Sequence, residues 1–323
     1  VSYTENGNDT PKRLLRNADF AMYLAKRAGG GQHRVMDATA LLSDSGDVLQ
    51  RGIESALQRN EFRLAYQPIV TIADSTLHGV EALLRWKDPA RGWVMPEVIV
   101  PIAERTGLIE ELGKWALNTA CLELRDWQKN FGAGAVEQMA VNVSAHQLMG
   151  SEFVDTVAEV LDRSGVAPGH LLLEITESVL LIDAPRAREV LGELKRLGVR
   201  LALDDFGTGY SSLGYLKRFP FDTVKIDREF IADMCADPAT RAIVASVIDL
   251  AHALDLSVVA EGIETRQQLQ QVEDLGADRA QGHYFSVALL TEAFSTTILE
   301  ASGGPALTSA PIRLPLPATA PNS

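Results

Sequence analysis

The sequence predicts an α/β fold: a closed (β/α)8 barrel of the TIM type with an irregular, antiparallel first strand. Three observations lead there. From about residue 50 to about residue 300, short apolar runs rich in β-branched residues alternate with longer helical patterns, the signature of strands laid in parallel. Eight such runs fall within about 250 residues, enough to close a barrel rather than leave an open sheet. The first two runs are separated only by Ala73-Asp74-Ser75, so they pair as an antiparallel hairpin.

In chain order the runs are FRLAYQPIV (62–70), LHGVEALLRW (77–86), MAVNVSA (139–145), LLLEITES (171–178), RLALDDFG (200–207), DTVKID (222–227), LSVVAEGI (256–263) and RAQGHYF (279–285). Helical periodicity fills 111–130, 151–164, 184–197, 236–254 and 265–275 between them. The charged stretch ERTGLIEEL (104–112) reads as a solvated helix region. Residues 1–45 stand apart: Thr10 caps and Pro11 opens one amphipathic helix, Gly29-Gly30-Gly31 ends it, and HRVM is a candidate strand. One helix and one strand make no core, so this piece belongs to a domain that lies mostly outside the sequence. Residues 46–300 are the barrel. Residues 301–323, with five of the fourteen prolines and a single charge, are expected to be a disordered tail.

Composition narrows the function. Of 323 residues, 46% are apolar and 23% charged, values of a soluble globular protein rather than a disordered or collagen-like chain. No run of about 18 apolar residues is present for a transmembrane helix. The first residues lack the basic start and apolar stretch of a signal peptide, and no Met begins the sequence, so it reads as part of a longer chain. The net charge of −13 argues against nucleic acid and against direct contact with anionic membrane. It leaves room for an anionic small substrate where metal ions reverse the charge locally. Cys121 and Cys235 show no CxxC spacing and are expected to be reduced, which with the missing leader points to the cytoplasm.

The chemistry is expected where the apolar runs end. Glu81, Asn142, Glu174, Asp204, Asp205, Lys225, Asp227, Glu261 and Gln281 each sit in or at the end of a run. A buried carboxylate costs several kcal/mol unless it is paired or metal-bound. One of them is easily a structural hydrogen bond; so many delivered to one end of parallel strands mark the mouth where barrel active sites are built. The donors are all oxygen, with no His or Cys, which selects Mg²⁺ or Mn²⁺ over zinc. The number of carboxylates exceeds what one Mg²⁺ takes, so two ions are expected, an arrangement suited to in-line displacement at phosphorus. His283 near the cluster reads as structural.

These motifs resemble one family. EALLRW (81–86) is similar to the signature of the EAL cyclic di-GMP phosphodiesterases, and YQPI (66–69), NVS (142–144), EITE (174–177), DDFGTGYSSL (204–213), KID (225–227), AEGIE (260–264) and QGHYF (281–285) follow in order. The resemblance covers about 50–295. It implies a barrel with one antiparallel strand, two Mg²⁺ or Mn²⁺ ions, inhibition by Ca²⁺, and hydrolysis of cyclic di-GMP to linear pGpG. It implies that Glu81, Asn142, Glu174 and Asp204 hold a first ion, and that Asp204 and Asp205, with Asp227 nearby, hold a second. Lys225 then touches the attacking water and Glu261 is the general base. Glu177 and Glu264 hold the loop after DDFG (204–207) and the neighbouring site, and Gln67, Leu83, Arg85 and Gln281 contact substrate. The family usually has Pro where Ala288 stands, a backbone restraint only. ADFAMYLAKRAG (18–29) resembles the last helix of a GGDEF diguanylate cyclase domain, implying a tandem GGDEF–EAL parent with sensory domains upstream. A homodimer built beside the 207–218 loop is implied as well. The competing readings are a catalytically inactive cyclic di-GMP receptor, which relatives become by losing metal ligands, and an enzyme for another phosphodiester such as a linear dinucleotide. No ligand position of the pattern is lost here.

Overall fold

The computed structural model describes residues 2–3, 36–37, 45–132, 136–180, 182–206, 214–301 and 312–313. Eight strands close a barrel. They are β1 (Phe62–Thr71), β2 (Thr76–Asp88), β4 (Gln138–Val143), β5 (Leu171–Thr176), β6 (Arg200–Phe206), β7 (Thr223–Ile226), β8 (Ser257–Ala260) and β9 (Arg279–Gln281). Neighbours pair in the order β1-β9-β8-β7-β6-β5-β4-β2, and β1 pairs again with β2 to shut the ring. β1 runs antiparallel to both of its neighbours, while β2 and the six strands β4 to β9 run parallel to one another. All eight expected strands are present, and the irregular first strand is β1.

The hairpin turn is set locally. Asp74 Oδ1 accepts from Thr76 N at 3.1 Å and Thr76 Oγ1 at 2.6 Å, and Ser75 takes φ 57°. Beyond the barrel, β1 and β2 continue as a ribbon, joined by β3 (Gly92–Val94). One face of this ribbon is packed by α1 (Ser45–Gln58) and α2 (Pro96–Thr106): Ile53, Ala56, Phe62, Trp86, Val94, Ile99, Ala103, Ile109 and Leu112 form a second core. The stretch 104–112 is therefore not a solvated face. It holds the end of α2, Gly107 at φ 77° and the start of α3 (Ile109–Phe131), and it buries Ile109 and Leu112. The turn breaks the helical period, so four charges hid two core anchors.

Outer helices α3, α5 (Phe153–Ser164), α7 (Ala184–Leu197), α10 (Pro238–Ala253) and α11 (Arg266–Asp274) match the expected helical segments. The short helices α4 (Ala145–Met149), α6 (Glu177–Leu180), α8 (Gly214–Arg218) and α9 (Arg228–Asp233) sit in the loops above the strands. β10 (Leu289–Leu290) pairs with β1 and leads into α12 (Thr291–Ala301), where Phe294 packs on Tyr66 and Trp127. Cys121 is buried and Cys235 half-buried, both free thiols.

Ser2–Tyr3 and Met36–Asp37 pair in parallel. The helix expected over 10–28 lies outside the described residues, as does the 207–213 part of the loop after Asp205. Within the expected tail, Ile312 is 2% exposed and accepts a hydrogen bond from Leu77 N, and Arg313 bridges Thr76. At those two residues the chain is packed against the start of β2 rather than loose. Among the described residues no helix is long and apolar enough to cross a membrane.

Candidate active site

The barrel interior changes character in one step of two residues. Ile69, Ala140, Leu172, Ala202 and Val259 form an apolar floor. Successive side chains on a strand alternate faces, so the inward residue above each floor position lies two further on. Above Ala140 stands Asn142, above Leu172 Glu174, above Ala202 Asp204, and above Val259 Glu261. On the antiparallel β1 the step runs backward, from Ile69 to Gln67, which pairs with Glu81 of β2. The same period places Lys225 above Thr223 and Gln281 above Arg279. The polar layer thus occupies the C-terminal mouth of the parallel strands.

Lys225 is its centre. The side chain is 1% exposed, and Nζ lies 2.7 Å from Glu174 Oε1, 2.5 Å from Glu261 Oε1, and 3.5 Å from both Glu81 Oε2 and Asp204 Oδ1. Burial alone would lower the lysine pKa, but Asp204, Glu174, Glu261 and Glu81 outweigh it and hold the ammonium well above its usual range. Glu174 is raised well above the carboxylate range, first by burial and then by Glu81. Glu81 moves the other way: burial raises it, but Lys225 and the donors Gln281 and Asn142 bring it below its usual value. Asn142 Nδ2 donates to Glu81 Oε1 at 2.7 Å, and Gln281 Nε2 donates to Oε2 at 2.6 Å. Glu261 follows β8 directly at the rim. Burial lifts its carboxyl to about 8, Lys225 offsetting only part of the rise.

Asp204 and Asp205 are consecutive, and a regular strand would aim them at opposite faces. The pairing of β6 with β7 skips from Leu203–Val224 to Phe206–Ile226, leaving two residues opposite Lys225. Asp205 takes φ 54° in this bulge. Its carboxyl is raised to about 6 by burial and then by Asp204 and Asp227, which places it among the site charges. Asp227 caps α9, its Oδ1 accepting from Glu229 N at 2.7 Å.

The four expected substrate contacts lie on the β1–β2 side or next to it. Gln67 and Gln281 bond each other at 3.1 Å, and Gln67 Nε2 donates to the Ser286 carbonyl at 3.1 Å. The carboxamide of Gln281 therefore braces Glu81, a role sequence could not show because residues 67, 81 and 281 meet only through the closed ring. Alternation puts Leu83 and Arg85 on the ribbon face that continues outward from Glu81. Arg85 is half-buried, and its Nη1 donates to the Leu84 carbonyl at 2.8 Å. Glu177 is buried at the start of α6. Glu264 is exposed, and its backbone N–H is held by Gln268 Oε1 at 2.8 Å. The loop both were expected to hold lies outside the described residues. His283 is exposed.

The donor set fits a hard divalent cation. Both oxygens of Glu174 and Oδ1 of Asp204 are buried with the Lys225 ammonium as their one cationic neighbour among the described residues, which leaves carboxylate oxygens able to take further positive charge. Among the described residues, no three His, Cys, Asp or Glu side chains converge tightly enough to enclose an ion as they stand. They are spread around the Lys225 ammonium.

Comparison with known proteins identifies the domain. Residues 50–288 match the EAL domain. The chain is 41% identical over 275 residues to the bifunctional diguanylate cyclase/cyclic di-GMP phosphodiesterase MucR of Pseudomonas aeruginosa, covering 84% of this chain and 40% of MucR. It is 36% identical over 287 residues to the cyclic di-GMP phosphodiesterase NbdA of the same organism, covering 88% of this chain and 36% of NbdA. It thus spans well under half the length of these relatives. The solved structure of the PaMucR phosphodiesterase in complex with c-di-GMP superposes with a TM-score of 0.73 at 41% identity, covering 76% of this chain and 99% of that one. With its barrel, its mouth of acidic side chains and three quarters of its length in the match, the chain belongs to the EAL domain family.

Proposed function

We propose that this chain hydrolyses one phosphodiester bond of cyclic di-GMP to give linear pGpG. The observation that carries the reading is the mouth itself: every acidic position of the EAL pattern is present, and four of them surround one buried lysine above an apolar floor. MucR and NbdA, named for this activity, share 41% and 36% identity with it. Glu81, Asn142, Glu174 and Asp204 would hold one Mg²⁺ or Mn²⁺, and Asp204, Asp205 and Asp227 a second. Such ions would neutralise phosphate charge and lower the pKa of bound water. Glu261, at the rim, accepts the proton of the attacking water. Its carboxyl near pH 8 suits a base that works close to neutrality. Lys225 orients that water and opposes charge developing on the phosphorane. Arg85 lies on the face running out from Glu81, where a guanidinium meets phosphate oxygens in a fork. Gln281 braces Glu81, and Leu83 with Gln67 borders the substrate.

The further parts of the reading are a homodimer beside the 207–218 loop, an upstream GGDEF domain ending in residues 1–45, and a cytoplasmic site of action. A metal exchange tests the chemistry. Ca²⁺ prefers longer bonds and looser geometry than Mg²⁺. It should support cyclic di-GMP binding by equilibrium dialysis but no turnover, and full turnover in Ca²⁺ alone would sink the two-ion mechanism.

A further inference from the structure

Lys225 reaches the mouth from β7, between Asp204 on β6 and Glu261 after β8. Its ammonium lies within 3.5 Å of Glu81, Glu174 and Asp204, three of the four side chains assigned above to the first ion. Those oxygens have few other partners. Among the described residues the Lys225 ammonium, 2.7 Å from Glu174 Oε1 and 3.5 Å from Asp204 Oδ1, is the cation that reaches Glu174 and Asp204, so the lysine is their source of positive charge. An ammonium is a compact point charge that cannot ligate a metal, and at 1% exposure it has no route to solvent without moving its stem. A divalent ion entering the same oxygens must share them with a positive charge a few ångströms away, in a setting where solvent screens little.

We propose that Lys225 is a built-in competing cation that holds down the affinity of the carboxylate layer for divalent ions and keeps those carboxylates together when such ions are scarce. This inference rests on the reading of Glu81, Glu174 and Asp204 as ion ligands. Its role in metal affinity is separate from its contact with the attacking water, and binding reads it without turnover.

The test is calorimetric titration of Mn²⁺ into the full chain and its variants, paired with thermal unfolding in EDTA and in Mn²⁺. Lys225→Met keeps the stem and removes the charge. It should bind Mn²⁺ at least about tenfold more tightly, melt lower than the parent in EDTA, and recover more of its melting temperature on adding Mn²⁺. Lys225→Arg keeps the charge and should bind Mn²⁺ within a few-fold of the parent. If Lys225→Met folds only in Mn²⁺, that metal-dependent folding supports the proposal, and Lys225→Gln then supplies the titration. Equal or weaker Mn²⁺ binding by the Met and Gln variants would overturn it. Absence of Mn²⁺ binding in every protein would overturn the ion-ligand reading and this inference with it.

Discussion

Glu81 and Glu261 carry the same functional group a few ångströms from the same lysine, and their surroundings separate them. Glu81 is 7% exposed and receives hydrogen bonds on both oxygens, which favours its charged form. Glu261 stands at the rim with its carboxyl near pH 8. Glu81→Gln should therefore weaken divalent-ion affinity, and raising Mg²⁺ should restore part of the rate. Glu261→Gln should lower kcat by about 10²–10⁴-fold, keep cyclic di-GMP binding, and resist rescue by Mg²⁺. Steady-state kinetics across a Mg²⁺ series separates the two; equal rescue would make Glu261 a metal ligand and turn the search for the base to Asp227. The sign of the pH dependence follows. A base must be deprotonated, so kcat/KM should rise with pH towards about 8, and cations bound beside Glu261 should move that limb to lower pH. The identities of these residues were legible in sequence, because each interrupts an apolar run. Their division of labour was not, because it comes from Gln281, Asn142 and Lys225, distant in sequence and adjacent only across the closed ring.

At the scale of elements, two local distortions aim the chemistry. The bulge in β6 lets consecutive Asp204 and Asp205 serve one site. After β8, Gly262 takes φ 69° directly beyond Glu261, and a Cβ there would meet Arg228 Cβ at 2.3 Å. Gly262→Ala should move Glu261 and cut kcat at least tenfold while circular dichroism shows the barrel intact; normal kcat would mean the loop tolerates the change. At the opposite end of the barrel, His78 on β2 is 14% exposed with its pKa pushed down to about 4, chiefly by burial and then by Arg279 and Arg200. Its unfolded-state value is near 6.5, so folding favours the neutral ring. Stability from this residue is complete above about pH 6.5 and is lost as pH falls towards 4, up to about 3 kcal/mol. His78→Gln should flatten that part of the stability curve in denaturant titrations; an unchanged acid slope would assign it elsewhere. The strands and long helices were legible because period two and period 3.6 were clean. The bulge, β3 and β10 were not, since an extra residue or a strand of two or three residues leaves no period to read; α1 carries a clear helical period and was missed all the same, and the Gly107 turn disguised the core anchors at Ile109 and Leu112.

The whole molecule couples an apolar barrel floor to a polar mouth in a chain of net charge −13. On the proposed reading, so acidic a protein attracts an anionic dinucleotide where cations reverse the local field, and binding and turnover should both fall when divalent ions are removed. The EAL motif residues all lie beyond residue 45 in the sequence, so removal of residues 1–45 should leave hydrolysis within about twofold of the parent; a large loss would show that they support the barrel. Hydrolysis is tested most directly by incubating the purified chain with cyclic di-GMP and Mg²⁺ and identifying the product by mass spectrometry, with Glu261→Gln and EDTA as controls. The parent chain should give linear pGpG, and neither control should give any. Tight binding of cyclic di-GMP with no product, in Mg²⁺ and in Mn²⁺, would contradict it and make the chain a receptor.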